Sequence, residues 1–239
     1  MRNGTGSLKS EQGSAQEEIM LGSRSAYTRA RILEAAEGLF DEKGYESTSL
    51  REITAKARVN LSSVHYHFGS KEGLIHAVHE RMITALNRER VEMLSELECR
   101  RLGKPPQVEQ IIGAYFKPVL RHAVQQTLIG KLLSNAGPNA GDTDKPLSVS
   151  GLLEPDALAY DRFRIALESA LPSLPRPEIL WRFQFMLTIA CCAFAQMGGL
   201  PLASESGCPA SADLEETSER VLGFLVGGLL APATALNRR

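Results

Sequence analysis

The segment Asn60-Leu61-Ser62-Ser63-Val64-His65-Tyr66-His67-Phe68, followed directly by Gly69-Ser70-Lys71, has the marks of a short helix with a defined start. The Asn60 side-chain oxygen can accept the free backbone N–H groups of a first turn beginning at Leu61. At about 100° per residue, Val64 and Phe68 fall with Leu61 on one side, while Ser62, Ser63, Tyr66 and His67 spread over the other. One face is built for burial, and the other offers hydroxyls, a phenol and an imidazole. Between Lys56 and Lys71 there is no Asp or Glu, although Lys56, Arg58 and Lys71 are all present. A surface of cations and small polar groups without acids suits a polyanion.

Upstream of this segment, Ile32, Leu33, Ala36, Leu39 and Phe40 recur at three- and four-residue spacings, predicting a helix that begins near Thr28 and closes at Gly44. Tyr45-Glu46-Ser47 forms a turn. Thr48 or Ser49 then caps a second helix that carries Leu50, Ile53, Thr54 and Ala57 inward. About three residues part its end from Leu61, so the two helices form a helix-turn-helix with the second in the recognition position. Met1 to Ser25 holds too little apolar surface to offset the entropy of ordering, and residues 1–25 are expected to be a disordered leader.

Downstream, Ser70 caps a fourth helix whose apolar stripe, from Leu74 through Ile75, Val78, Met82, Leu86 and Met93 to Leu97, predicts a length reaching about Arg101. Gly103-Lys104-Pro105-Pro106 breaks it. Helical spacing resumes over Val108 to His122, where Pro118 predicts a kink or early break, and a short helix fits Val124 to Leu133. Ser134 to Gly151 reads as a long loop, Pro155 to Leu171 and Pro177 to Met197 as helices opened by proline, Gly198 to Asp213 as a second loop, and Leu214 to Leu230 as the last helix. No strand alternation persists. The expected fold is all-α: a helix-turn-helix head over 26–72 and a larger helical body over 73–239.

The chain has 239 residues, 43% hydrophobic and 23% charged, with a net charge of −1, which excludes a uniformly basic nucleic-acid coat. From Arg24 to Arg90 there are eleven Lys and Arg against nine Asp and Glu, while Val91 to Arg239 has fourteen against sixteen, placing the positive side at the head. Cys99, Cys191, Cys192 and Cys208 show no C-x-x-C spacing and read as reduced thiols of a cytoplasmic protein. No secretory signal is visible near Met1. The longest apolar run, Ile179 to Met197, is interrupted by Arg182, Gln184 and Gln196, which argues against a membrane span.

The last two helices are apolar on more than one face, so each needs a second cover, either a larger core or a partner subunit. A homodimer through these helices is the favoured arrangement, with Gly223, Gly227 and Gly228 allowing close approach. An enzyme or metal sensor is the competing class, because His76 and His79 share a helix face at i and i+3. A third ligand and the H-E-x-x-H spacing are missing, and there is no G-x-S-x-G, P-loop or dinucleotide motif. The expectation is a binding protein without catalytic residues, metal or cofactor.

Arg31-Ile32-Leu33-Glu34-Ala35-Ala36, Leu39-Phe40, Gly44-Tyr45, Thr48-Ser49-Leu50-Arg51-Glu52-Ile53 and Tyr66-His67-Phe68-Gly69-Ser70-Lys71-Glu72-Gly73-Leu74 together closely resemble the tetracycline-repressor (TetR) family of bacterial transcription regulators. The resemblance covers about fifty residues. It implies an all-helical, usually dimeric protein with an N-terminal helix-turn-helix and a C-terminal domain for a small effector. It places Leu61, Ser62 and Ser63, just after Asn60, at base-reading positions, and His65, Tyr66 and His67 at positions that contact phosphates and sometimes bases. It puts Ser49 and Arg51 beside phosphates from the second helix, and Lys71 at the backbone from the fourth. A ligand-responsive repressor, released from an inverted-repeat operator by a small apolar effector, is the implied function.

Two departures from the family pattern matter. Arg58 stands where the family commonly has glycine, so either the turn differs or Arg58 gains a phosphate contact. The reading tip lacks the Lys, Arg or Gln that would recognise guanine in a bidentate manner. In the body, Ala170-Leu171-Pro172-Ser173-Leu174-Pro175 and Leu180-Trp181-Arg182-Phe183-Gln184-Phe185-Met186-Leu187, with Val59-Asn60-Leu61 in the head, resemble the subgroup that includes the fatty-acid-responsive regulator PsrA. That implies a fatty acid or acyl effector in a pocket lined by Phe116, Leu120, Phe163, Trp181, Phe185 or Met186, all of which also read as core residues.

Overall fold

The computed structural model describes residues 7–100, 103–124, 156–196 and 214–233. These form eight helices and no strand: α1 (Ser7–Lys43), α2 (Leu50–Ala57), α3 (Leu61–Phe68), α4 (Lys71–Arg100), α5 (Val108–Val124), α6 (Ala157–Ala170), α7 (Arg176–Gln196) and α8 (Leu214–Leu230). The expected Val124 to Leu133 helix and the loops over 134–151 and 198–213 lie outside the described residues. The chain divides into two compact units, Met1–Val78 and His79–Arg239. That division falls six residues past the expected boundary after 72, inside α4, whose Leu74, Ile75 and Val78 are fully buried.

In the first unit α1, α2 and α3 pack on one another. Their core is Ile32, Ala36, Phe40, Ile53, Ala57 and Val64, the side chains that the helical spacing turns inward. Helix α1 begins at Ser7 rather than near Thr28, so most of the supposed leader is helical. The composition argument weighed tertiary burial, whereas a helix already nucleated at Ile32 to Phe40 extends through local hydrogen bonds without a new nucleus. At the other end the Gly44 N–H donates to the Phe40 carbonyl at 3.0 Å with φ at +80°, the left-handed closure that glycine allows.

In the second unit α5 packs against α6 and α8, and α7 against the same two. The Tyr115 ring makes edge contacts with Phe116, Phe163 and Phe183 at centroid distances of 5.0, 5.0 and 5.9 Å. Helix α5 continues through Pro118 to Val124, so proline does not end it. Helix α6 starts at Ala157, where the Asp156 carboxylate accepts from the Ala159 N–H at 2.8 Å.

Two arginines are buried in this unit. Arg90 of α4 donates from Nε to the Tyr115 carbonyl at 2.9 Å and from Nη1 to Asn87 Oδ1 at 2.7 Å, with its guanidinium 4.2 Å from the Tyr115 ring centroid. Arg182 of α7 pairs with Glu178 and donates to the carbonyls of Leu229 at 2.8 Å and Pro232 at 3.0 Å, and also to that of Ala231. It therefore closes the C-terminus of α8, placing a cation at the negative end of that helix dipole. No helix among the described residues is long and apolar enough to cross a membrane.

Candidate nucleic-acid interface

The α2–α3 turn sets the angle at which α3 is presented. Arg58 sits in the left-handed region at φ 51° and ψ 50°, its N–H donating to Ala55, while the Val59 N–H reaches the Thr54 carbonyl at 3.0 Å. This is the double closure that usually takes glycine. Arg58 thus takes the left-handed conformation, and a charged side chain bears the strain of the turn.

Ser49, not Thr48, caps α2. Its hydroxyl accepts from the Glu52 N–H, and its own N–H donates to the Glu52 carboxylate at 2.9 Å. Thr48 is buried instead, its hydroxyl 2.8 Å from the Gly44 carbonyl. The Lys43 ammonium, 2.6 Å away, holds the Glu52 carboxyl well below the usual carboxylate range, at about 2, with the Ser49 N–H and hydroxyl adding to the effect. Both donors of Ser49 thus face a carboxylate. A phosphate contact by Ser49 must compete with this box, whereas neighbouring Arg51 is exposed.

Helix α3 runs from Leu61 to Phe68 with Asn60 as its cap, the Ser63 N–H donating to Asn60 Oδ1 at 2.8 Å. Val64 is fully buried, and Phe68 is half-buried beneath Arg29, whose guanidinium lies 5.2 Å from its ring. Leu61 lies on the same side as Val64 but at the free end of the helix, where it is 42% exposed, and His65 beside it is exposed too; the opposite side presents exposed Ser62 and half-buried Ser63 and His67. Tyr66 is 81% exposed, its ring meeting His67 edge-on at 5.0 Å. The Gly69 carbonyl, an acceptor only, lies 2.8 Å from His65 Nδ1. Neutral His65 therefore carries its proton on Nδ1, which leaves Nε2 as an acceptor, and as a donor in the cation.

Helix α4 starts hard against the end of α3. The Gly73 N–H donates to the Ser70 hydroxyl at 3.1 Å, and a β-carbon at Gly73 would meet the Phe68 carbonyl oxygen at 2.0 Å. Lys71 has its ammonium 4.2 Å from the Tyr45 ring centroid, and Lys56 pairs with Glu42 at 3.4 Å. Arg58 is exposed and makes no ion pair among the described residues, so it is the least engaged of the three cations in the acid-free stretch. Arg29 and Gly73 were not singled out by the spacing. The Arg29-Ala30-Arg31 pair on α1 was the available signal for the first, and nothing local marks the second.

The six residues proposed for an effector pocket differ in exposure among the described residues. Phe116, Leu120 and Phe163 are buried among the aromatic core of α5 and α6. Trp181 and Phe185 are 61% and 55% exposed, with rings 5.6 Å apart on the outside of α7. Only Phe185 and Met186 line the open groove of about 180 Å³ between α7 and α8, where they are joined by Arg182, Ile189, Phe224, Leu225, Gly228 and Leu229. Alternation of buried and exposed sides on α7 separates residues that sequence proximity had grouped. His76 is exposed and His79 half-buried, and no three His, Cys, Asp or Glu side chains among the described residues are placed to hold a metal ion.

Comparison with known proteins follows the same division. Residues 32–78 match the family model of bacterial regulatory proteins, tetR family, and residues 154–228 match that of the tetracyclin repressor-like C-terminal domain. An HTH-type transcriptional repressor of Mycobacterium tuberculosis is 46% identical over 59 residues, 25% of this chain and 31% of that protein. The A-factor receptor protein of Streptomyces griseus is 31% identical over 99 residues, 41% of this chain and 32% of its own length. The matches thus span about a third of these relatives. Among solved structures, RolR in complex with resorcinol has a TM-score of 0.52 at 16% identity, covering 88% of this chain and 97% of that one. TetR from Acinetobacter baumannii AYE has a TM-score of 0.52 at 15% identity, covering 82% and 93%. These structural likenesses establish the all-helical fold.

Proposed function

The chain belongs to the tetR family of bacterial regulatory proteins, and on that premise we propose that it is a ligand-responsive, DNA-binding transcriptional regulator acting as a repressor. The observation that carries this reading is the outer side of α3: a capped helix in the recognition position, with Tyr66 81% exposed and no acid between Lys56 and Lys71. In this reading α3 enters the major groove with Leu61, Ser62 and Ser63 at base edges. His65, Tyr66, His67, Arg51, Lys71 and the Asn60 end of the helix meet phosphates. Phosphate contacts position the head, and base contacts specify the site.

The active form is a homodimer through α7 and α8, which matches an inverted-repeat operator by its two-fold symmetry. Support comes from the outer faces of these helices, where Trp181, Phe185, Ile189, Phe224 and Leu230 are exposed, and where nothing lies within 4 Å of a β-carbon built at Gly223 or Gly227. The effector is a small apolar compound, such as a fatty acid or acyl derivative, held by the second unit. Induction is a population shift: an effector that binds better to the DNA-incompetent form pulls the protein off its operator. Helix α4 is common to both units and is the continuous backbone through which such a shift travels.

The test is binding of the purified protein to a selected operator over a range of salt. Affinity should fall steeply as salt rises, and Tyr66→Ala with Lys71→Ala should weaken binding to all sequences alike, lowering the log–log salt slope by about one per lost phosphate contact. Full affinity in the double variant would show that the head does not dock through α3 and α4.

A further inference from the structure

We propose that the tip of α3 reads DNA as a hydrogen-bond acceptor: Ser63, seconded by Ser62, takes a hydrogen bond from a base amino group, and Asn60 is the positioning residue that imposes this polarity. The inference rests on the DNA-binding reading above and specifies which base edges the same site can recognise.

The Ser63 backbone N–H lies 2.8 Å from Asn60 Oδ1, and a peptide N–H can only donate. The amide atom facing it must therefore be the carbonyl oxygen, because the alternative flip would set two donors against each other. The Ser63 hydroxyl is 2.7 Å from that same oxygen and the Ser62 hydroxyl 3.1 Å from it. An amide oxygen carries no hydrogen, so each serine gives it its single proton. Three donors around two lone pairs make Ser62, at the longest distance, the most easily released. Ser63 is the one held firmly.

A hydroxyl whose proton is engaged inward offers only lone pairs outward. In the major groove the partners for a lone pair are the N6 amine of adenine and the N4 amine of cytosine; guanine shows N7 and O6, and thymine shows O4 and a methyl, none of which donates. Leu61 begins the same turn and is 42% exposed, so it is available for a thymine methyl. An A·T pair carries an amine and a methyl on one edge and satisfies Ser63 and Leu61 together, whereas a C·G pair supplies the amine alone. The tip therefore selects adenine at the base that Ser63 meets. To read a guanine or a thymine oxygen, Ser63 would first have to break its bond to Asn60.

The experiment uses the full chain. Duplexes are selected from a random library with the native protein and with Ser63→Ala, and the position whose preference depends on Ser63 is then changed atom by atom, with affinity read by fluorescence anisotropy. Replacing adenine by purine, which lacks the N6 amine, should weaken native binding about tenfold and leave Ser63→Ala within about twofold, the size left when the partner is already gone. Replacing it by 7-deazaadenine, which lacks N7, should leave native binding unchanged. Asn60→Asp, which retains the cap and an acceptor, should keep the adenine preference at lower overall affinity, because only the charge changes. The proposal is overturned if the Ser63-dependent base is guanine or thymine, if loss of N7 rather than N6 weakens binding, or if Ser63→Ala selects the same sequences as the native chain. Should the native protein select no duplex at all, it is the DNA-binding reading that fails.

Discussion

Between Lys43 and Lys71 each helix end is closed by a partner no more than five residues away: Gly44 on Phe40, Ser49 on Glu52, Val59 on Thr54, Asn60 on Ser63, Gly69 on His65 and Ser70 on Gly73. In the second unit the polar ties of the buried arginines reach much further along the chain, from Arg90 to Tyr115 and from Arg182 to Leu229 and Pro232. Arg162 of α6 likewise pairs with Glu98 of α4 at 2.6 Å. Local closure makes each short helix of the head complete before it packs, which suits a surface that must present fixed side chains. Long-range closure makes the helices of the body depend on one another, which suits a unit expected to change packing when an effector binds.

The sharpest way to break this contrast is Arg90→Ala. It leaves the Tyr115 carbonyl and Asn87 to find new partners and opens a void in the core, so a destabilisation of about 3 kcal/mol is expected, measured by urea denaturation of the full chain. A loss below about 1 kcal/mol, no larger than that of a typical cap, would show that the body does not rest on its long-range ties. Arg182→Ala comes next at about 2 kcal/mol, because it uncaps α8 and removes several charge-assisted bonds. Arg182→Lys should recover only part of this, since an ammonium cannot reproduce the guanidinium fork.

The head supplies smaller effects. Arg58→Gly relieves the left-handed strain but loosens the unfolded chain, for a net stabilisation of about 0.5 kcal/mol in thermal melts. If Arg58 meets a phosphate, the same variant should lower the salt slope of operator binding by about one. A gain in stability with reduced salt dependence would separate the strain of the turn from its use.

Glu52→Gln tests the charge on the α2 box. The native carboxyl is held at about 2, so its contribution is present above the ordinary value near 4.5 and is lost as pH falls through that interval. The native protein should therefore lose more melting temperature between about pH 5 and pH 2 than Glu52→Gln. Parallel curves would show that the Lys43–Glu52 contact does not stabilise the head.

The reach of these bonds also explains what could be read from the residues alone. Helix α3 falls at Leu61–Phe68, as the Asn60 cap and the Val64 and Phe68 spacing require, and α8 falls at Leu214–Leu230. The choice of Ser49 over Thr48 as cap stayed open, because it depends on Thr48 being buried against α1, a contact absent from any local pattern. Extension of α1 to Ser7 escaped because a composition rule omits the cooperativity of a helix already formed. That Phe163 is buried while Trp181 and Phe185 are exposed was not legible either, because hydrophobicity marks a residue for burial without saying against what.

By itself, then, the sequence determined an all-helical chain, a capped helix-turn-helix and the side of α3 that faces outward, because caps, turns and helical periodicity act over a few residues. Only the tertiary structure decided that Arg90 lies in the core, that Arg182 closes α8 and that Trp181 and Phe185 stand outside. Those outcomes depend on which groups meet in three dimensions and on which atom of each must donate, and neither is written in the order of residues.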